Sequence, residues 1–201
     1  GLGLIEVGCE NFSGEFNPDI NFYDSHERRL SGDKIFSIND VLDGRMKGLI
    51  GAGRAYFRSV YNQYKPLMES CPAEDTPALF RCLHQHKGIY ISRNLIARRI
   101  HDENISSLQS LSKMNFSALA QQYILDLQQA LSLGLLDDNI YTERKDKFRK
   151  YSFRKQCAID VHGGFRNKIS FIDVLKSNYF SPRDKFYLLR TGITSRFRKN
   201  A

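Results

Sequence analysis

No stretch of this sequence approaches the ~20 consecutive apolar residues that a membrane-spanning helix requires. Its first residues, Gly1-Leu2-Gly3-Leu4-Ile5-Glu6, have neither an initiator Met nor the basic-then-apolar order of a signal peptide, and they read as the cut edge of a longer protein. Cysteine is sparse: the four residues stand at 9, 71, 82 and 157 with no C-x-x-C and no close repeat, which argues against a disulfide framework and against a zinc knuckle. These cysteines read as reduced thiols in a cytosol-like, cytoplasmic compartment, with a secreted effector as the alternative. The glycine-rich pieces, Gly1-x-Gly3 and Gly48 to Gly53, lack the strand-turn-helix setting and the Lys of a phosphate loop. Close helix packing is the stronger reading of the second piece. No internal repeat, low-complexity tract, cofactor motif or catalytic fingerprint stands out, so the expected cofactor is none.

What the chain does have is positive charge concentrated near one end. Residues Glu143 to Lys199 hold 16 Lys/Arg against 5 Asp/Glu, a net +11, while residues 1–140 hold 14 against 17, a net −3. Clustered cations raise the local concentration of phosphate-bearing ligands and steer their approach. The remaining composition, 41% hydrophobic and 26% charged, is that of an ordinary folded protein. Its 201 residues suffice for one substantial core, or for a medium domain with a smaller appendage.

Periodicity divides the chain into three parts. Residues 1–36 mix Gly, Asn, Asp, Pro and Ser with short apolar pieces (Leu4 to Val7, Ile20 to Tyr23, Lys34 to Phe36) and predict short strands or irregular structure. Residues 37–138 predict a helical body of about five helices. Within it, Ser37 or Asn39 caps a long helix reaching Met68, with a break left open at Gly48, Gly51 and Gly53. Thr76-Pro77 starts a second helix and Ser92 caps a third, continued by Ile105, Leu108 and Leu111. Asn115 caps the clearest helix, Phe116 to about Leu133, ended by Gly134. Residues 139–201 predict a short helix near Glu143 to Phe148, then extended pieces at Cys157 to Val161, Lys168 to Val174 and Lys185 to Leu189. The expected fold is therefore α+β and mostly α-helical, with a small basic β-rich C-terminal portion.

The segment from Lys147 to Lys155 interleaves five cations (Lys147, Arg149, Lys150, Arg154, Lys155) with the rings of Phe148, Tyr151 and Phe153. Cations displace the counterions condensed on a phosphate backbone, and rings and guanidinium planes offer stacking surfaces to unpaired bases. Arg166 and Lys168 join the expected nucleic-acid-binding set, and Lys176, Arg183, Arg190, Arg196, Arg198 and Lys199 extend it if the chain folds back. The competing reading is a solvated helix face whose rings point into the core. The function expected from this pattern is non-catalytic binding of a polyanion, foremost nucleic acid. A protein-interaction module for an acidic partner is one alternative. Another is a small hydrolase or transferase built on Cys9 or Cys71 with His162 as base and Asp173 as orienting group, the last two facing each other across a Gly163 to Lys168 hairpin.

Three further patterns carry less. Lys150-x-x-x-Arg154, a strand at Cys157 to Val161, and Phe171 to Asn178 together resemble the opening half of a PilZ domain, a β-barrel that binds cyclic di-guanylate through an R-x-x-x-R pair and a D-x-S-x-x-G strand. Here Lys150 stands for the first Arg, Leu175 for the Ser and Asn178 for the Gly, and the likeness covers about fifty residues. Cys82-x-His84-x-His86 places Cys82 and His86 at i, i+4 on a helix, two ligands where zinc requires three or four. His101-Asp102 matches the dipeptide of HD phosphohydrolases, which needs a second histidine (His84 or His86) and a distant aspartate (Asp126, Asp137 or Asp138). A helix C-terminus carrying a cationic His is the plainer reading.

Overall fold

The computed structural model describes residues 1–12, 32–46, 51–99, 114–162 and 171–198. Along these residues run β1 (Leu2–Phe12), β2 (Lys34–Phe36), α1 (Ile38–Leu42), a 3-10 turn (Gly51–Gly53), β3 (Arg54–Tyr56), α2 (Arg58–Gln63), α3 (Asp75–Gln85) and β4 (Lys87–Arg99). They are followed by α4 (Phe116–Ser132), α5 (Asp138–His162), α6 (Phe171–Lys176) and α7 (Pro182–Arg198). The strands form one sheet in the order β2-β4-β1-β3. β1 runs parallel to β4, with Ile5 opposite Ile89 and Glu6 opposite Tyr90, while β3 lies antiparallel to β1 and β2 antiparallel to β4. A parallel pair needs a long crossover between its strands, and the chain from β2 through α3 supplies it.

In β1, Leu4 and Glu6 are buried and Ile5 is exposed, the alternation of a strand with one face covered. The main core lies on that covered side and joins Leu4, Phe36 and Tyr90 of the sheet to Leu42, Phe80, Leu83, Tyr123, Leu127 and Phe148 of the helices. At its centre the Phe80 ring meets Tyr123, Phe148 and Tyr151 edge-on, at 4.9, 4.8 and 5.5 Å between centroids. Two buried ion pairs brace it. Arg81 forks onto Asp126 (2.9 and 2.7 Å), and Arg54 donates to Glu6 (2.8 Å), to the Tyr56 hydroxyl (3.1 Å) and to the Asp75 carbonyl (3.0 Å). A second, smaller cluster gathers Cys157 and Val174, with Phe153, Phe180, Leu188 and Leu189 against them.

The expected arrangement, a helical body followed by a β-rich basic end, is overturned: the strands lie on the N-terminal side and the C-terminal side is helical. Cys157 to Val161 and Lys185 to Leu189 lie inside α5 and α7, and α6 occupies Phe171–Lys176. Five-residue apolar runs fit either period, and in α5 the burial of Cys157 and Val161, four residues apart, agrees with the helical one. The long helix expected from Ser37 to Met68 is also broken. Ser37 does cap α1, where the Asp40 carboxylate accepts from the Ser37 amide (2.8 Å) and hydroxyl (2.7 Å), but α1 spans only Ile38–Leu42. The later residues of that stretch enter the 3-10 turn, β3 and α2. The glycine approach expected between helices is instead to a strand: a Cβ on Gly53 would stand 2.7 Å from the Val7 carbonyl oxygen. The third expected helix, from Ser92, is β4, because pairing with β1, about 85 residues away, outweighs its helix-like spacing.

Several local readings hold. The Asn115 side chain accepts from the Ala118 amide (3.2 Å) at the start of α4, and Gly134, at φ +70°, follows its end. Leu4 to Val7 and Lys34 to Phe36 are strands. The helix expected at Thr76-Pro77 begins one residue earlier, at Asp75. Ile20 to Tyr23, Ile105 to Leu111 and Gly163 to Lys168 lie outside the described residues. A PilZ-like barrel is not what residues 150–178 build, since Lys150, Arg154 and Cys157 to Val161 all lie on α5.

Candidate functional site

Seven of the nine residues expected to contact a polyanion lie on α5, where helical geometry sorts them onto different faces. Lys147, Lys150 and Arg154 follow at i, i+3 and i+7 on one face. Across from them the turn after α1 brings Leu42, Asp43 and Arg45, and together these six residues line a pocket of about 370 Å³. Its lining carries four cations and one carboxylate, a net +3. Gly44 makes the turn with φ +75°, a left-handed conformation that side chains other than Gly adopt at a cost, and a Cβ there would lie 3.9 Å from Arg154 Nη2.

Two of the four cations are tethered. Arg45 holds Asp40 (2.9 Å) and Asp43 (3.1 Å). Burial pushes the Asp40 carboxyl up, but the hydrogen bonds from Ser37 and Arg45 outweigh it and hold it below the ordinary carboxylate range. Lys147 donates to Glu143 (2.7 Å) and to the Asn39 side-chain carbonyl (3.1 Å), and the Lys147 hydrogen bond lowers the Glu143 carboxyl in turn. Lys150 and Arg154 are exposed and make no ion pair among the described residues. They offer the pocket its readiest charge for a ligand.

The other expected residues sit elsewhere. Tyr151 packs its ring on Phe80, and Phe153 packs on Tyr179 (5.6 Å) and Phe180 (6.0 Å). Burial pushes the Tyr151 hydroxyl up to about 12. Arg149 is exposed and lies 3.7 Å from Asp146. Lys155 reaches over the Tyr151 ring at 5.6 Å, away from the pocket, and its desolvation lowers its pKa. Lys176, Arg183 and Arg190 are exposed on α6 and α7. Arg166, Lys168 and Lys199 lie outside the described residues, as do the side chains of Arg196 and Arg198. Sequence reasoning missed Arg45, whose only local signal is the Asp43-Gly44 turn before it.

The nucleophile alternative needs a thiol of lowered pKa. Burial instead raises Cys71, raises Cys82 to about 11, and, with the charges of Asp160 and Asp173, raises Cys157 to about 12. Cys9 lies in β1 opposite Ile96. His162 ends α5, its side chain outside the described residues, and Asp173 stands in the first turn of α6, so the expected hairpin between them is flanked by helices. Cys82 is fully buried in α3, and His86, at that helix's C-cap, meets the Phe57 ring edge-on at 6.1 Å. Among the described residues no three His, Cys, Asp or Glu side chains cluster as a metal site would require, and His101-Asp102 lie outside them. None of the four cysteines is in a disulfide. No helix among the described residues is long and apolar enough to cross a membrane.

The fold and the site together define an α+β protein with an N-terminal sheet and a cation-lined pocket between the turn after α1 and one face of α5. Comparison with protein-family models, curated proteins and solved structures finds no match.

Proposed function

We propose that this protein binds a polyanion without catalysis, and that the polyanion is nucleic acid, held by its phosphates at the face of α5 that carries Lys147, Lys150 and Arg154 and at Arg45 beside it. The observation that carries the reading is the pocket itself. Four cations from two separate parts of the chain converge on one concave surface, two of them without a protein counter-charge among the described residues. A concave cationic surface focuses field toward a phosphate and gains entropy by releasing the counterions that phosphate carries. With Tyr151 and Phe153 packed against other rings, the contact runs to phosphate and sugar rather than to stacked bases. The raised Cys71 thiol weighs against the nucleophile alternative at that residue.

The test is a titration of labelled DNA and RNA by anisotropy at several salt concentrations. Affinity falls linearly on a log–log plot, each phosphate contact adding about −0.7 to −0.9 to the slope. Lys150→Ala or Arg154→Ala flattens it by about one contact, and Arg149→Ala, off the pocket, leaves it unchanged. An absence of binding at low salt, or equal effects from all three substitutions, refutes the assignment.

A further inference from the structure

Helix α7 has two unlike faces. Leu188 and Leu189 pack into the second cluster beside Cys157 and Val174, and Gly192 is buried on the same side. The opposite side carries Arg183, Phe186, Tyr187, Arg190 and Ile193, all exposed, in steps of three and four that keep them on one stripe. Phe186 at 69% and Tyr187 at 65% are the most exposed large apolar side chains among the described residues. Ile172, Leu175 and Lys176 of α6 are exposed as well. Large apolar side chains standing together in water mark an interaction surface.

We infer that this face docks on an anionic lipid bilayer, with α7 lying in the plane of the interface. Two features select that occupant. Among the side chains of α6 and α7 whose exposure is described, Lys176, Arg183 and Arg190 are exposed cations and Asp173 is the exposed acid, so the surface complements negative headgroups. Ile193 on the stripe, with Ile172 and Leu175 exposed on the adjoining α6, gains by entering the headgroup–acyl boundary but gives a nucleic-acid base no ring to stack on. A second copy of the chain is a poorer partner, because it would bring Arg183 and Arg190 against their own like charges. The helix, 17 residues long, is cationic and about one-third apolar, the composition of a helix that lies on a membrane rather than through it. The inference does not depend on what the α5 pocket binds.

The experiment is co-sedimentation of the full chain with vesicles of phosphatidylcholine alone and of phosphatidylcholine with phosphatidylserine. Because the sequence has no Trp, Phe186→Trp also places a single fluorescent reporter in the face. The expected result is sedimentation with the phosphatidylserine vesicles alone and a blue shift of the reporter on adding them. Phe186→Ser combined with Ile193→Ser then lowers partitioning by about tenfold or more, while thermal melting and the salt-dependent nucleic-acid titration stay as in the parent chain. No sedimentation, or equal sedimentation of the double variant, overturns the inference. So does a reporter that shifts blue with single-stranded oligonucleotide, or with rising protein concentration, but not with vesicles; those outcomes reassign the face to bases or to a second copy. Loss of nucleic-acid binding in Lys150→Ala with vesicle binding retained would separate the two surfaces.

Discussion

His84 is buried at 6% exposure, and its Nδ1 lies 3.0 Å from Arg144 Nη1. A guanidinium only donates, so Nδ1 accepts and the proton sits on Nε2, which finds no partner among the described residues. Burial, with the Arg144 charge added, lowers its pKa to about 3 from an ordinary 6.5. The unfolded chain therefore binds a proton below about pH 6.5 that the folded chain refuses until far lower, so folding stability falls as pH drops through that window. One proton corresponds to about 1.4 kcal/mol per pH unit. Asp40, with its carboxyl lowered, loses stability in the same direction near pH 4, whereas Asp126, raised by burial, opposes it. Urea unfolding from pH 7 to 4.5 is expected to show a shallower pH dependence in His84→Gln than in the parent chain, and identical dependences count against a neutral buried His84.

At the scale of an element, α5 serves three neighbours at once. Its Phe148 and Tyr151 enter the main core, Phe153 and Cys157 enter the second cluster, and Lys147, Lys150 and Arg154 line the pocket. Rings and cations that alternate in sequence are thus separated in space by the 3.6-residue turn. Tyr151→Ala is expected to cost about 3 kcal/mol of stability through the cavity it leaves, with the salt slope for nucleic acid unchanged once folding is restored by lower temperature. Loss of binding with melting unaffected would instead make Tyr151 a contact residue.

For the molecule as a whole, the two clusters differ in what they bury. The main one ties the sheet to α1, α3, α4 and α5, whereas α6 and α7 are held through Cys157, Val174 and a few half-buried partners. Local opening free energies follow the buried apolar contacts that must be broken. Hydrogen exchange read by mass spectrometry is expected to show the amides of α7 exchanging well before those of α4. Equal protection of the two helices would mean that they unfold as one unit.

Composition carries the charge asymmetry, and local pattern carries the N-cap at Asn115 with the helix it starts, the Ser37 cap, and the short strands at Leu4 to Val7 and Lys34 to Phe36, each of which depends on residues within a few positions of one another. Pairing across distance was left to the tertiary structure. β4 reads as a helix until β1 lies beside it to satisfy its amides, and Cys157 to Val161 reads as a strand until burial takes up Cys157, in the second cluster, and Val161 one helical turn on. The cations were legible as a group in α5, but their sorting into a pocket set and an outward set was not. Arg45 reached the pocket only because the main core fixes α1 against α5, a contact between segments about a hundred residues apart that local patterning cannot encode.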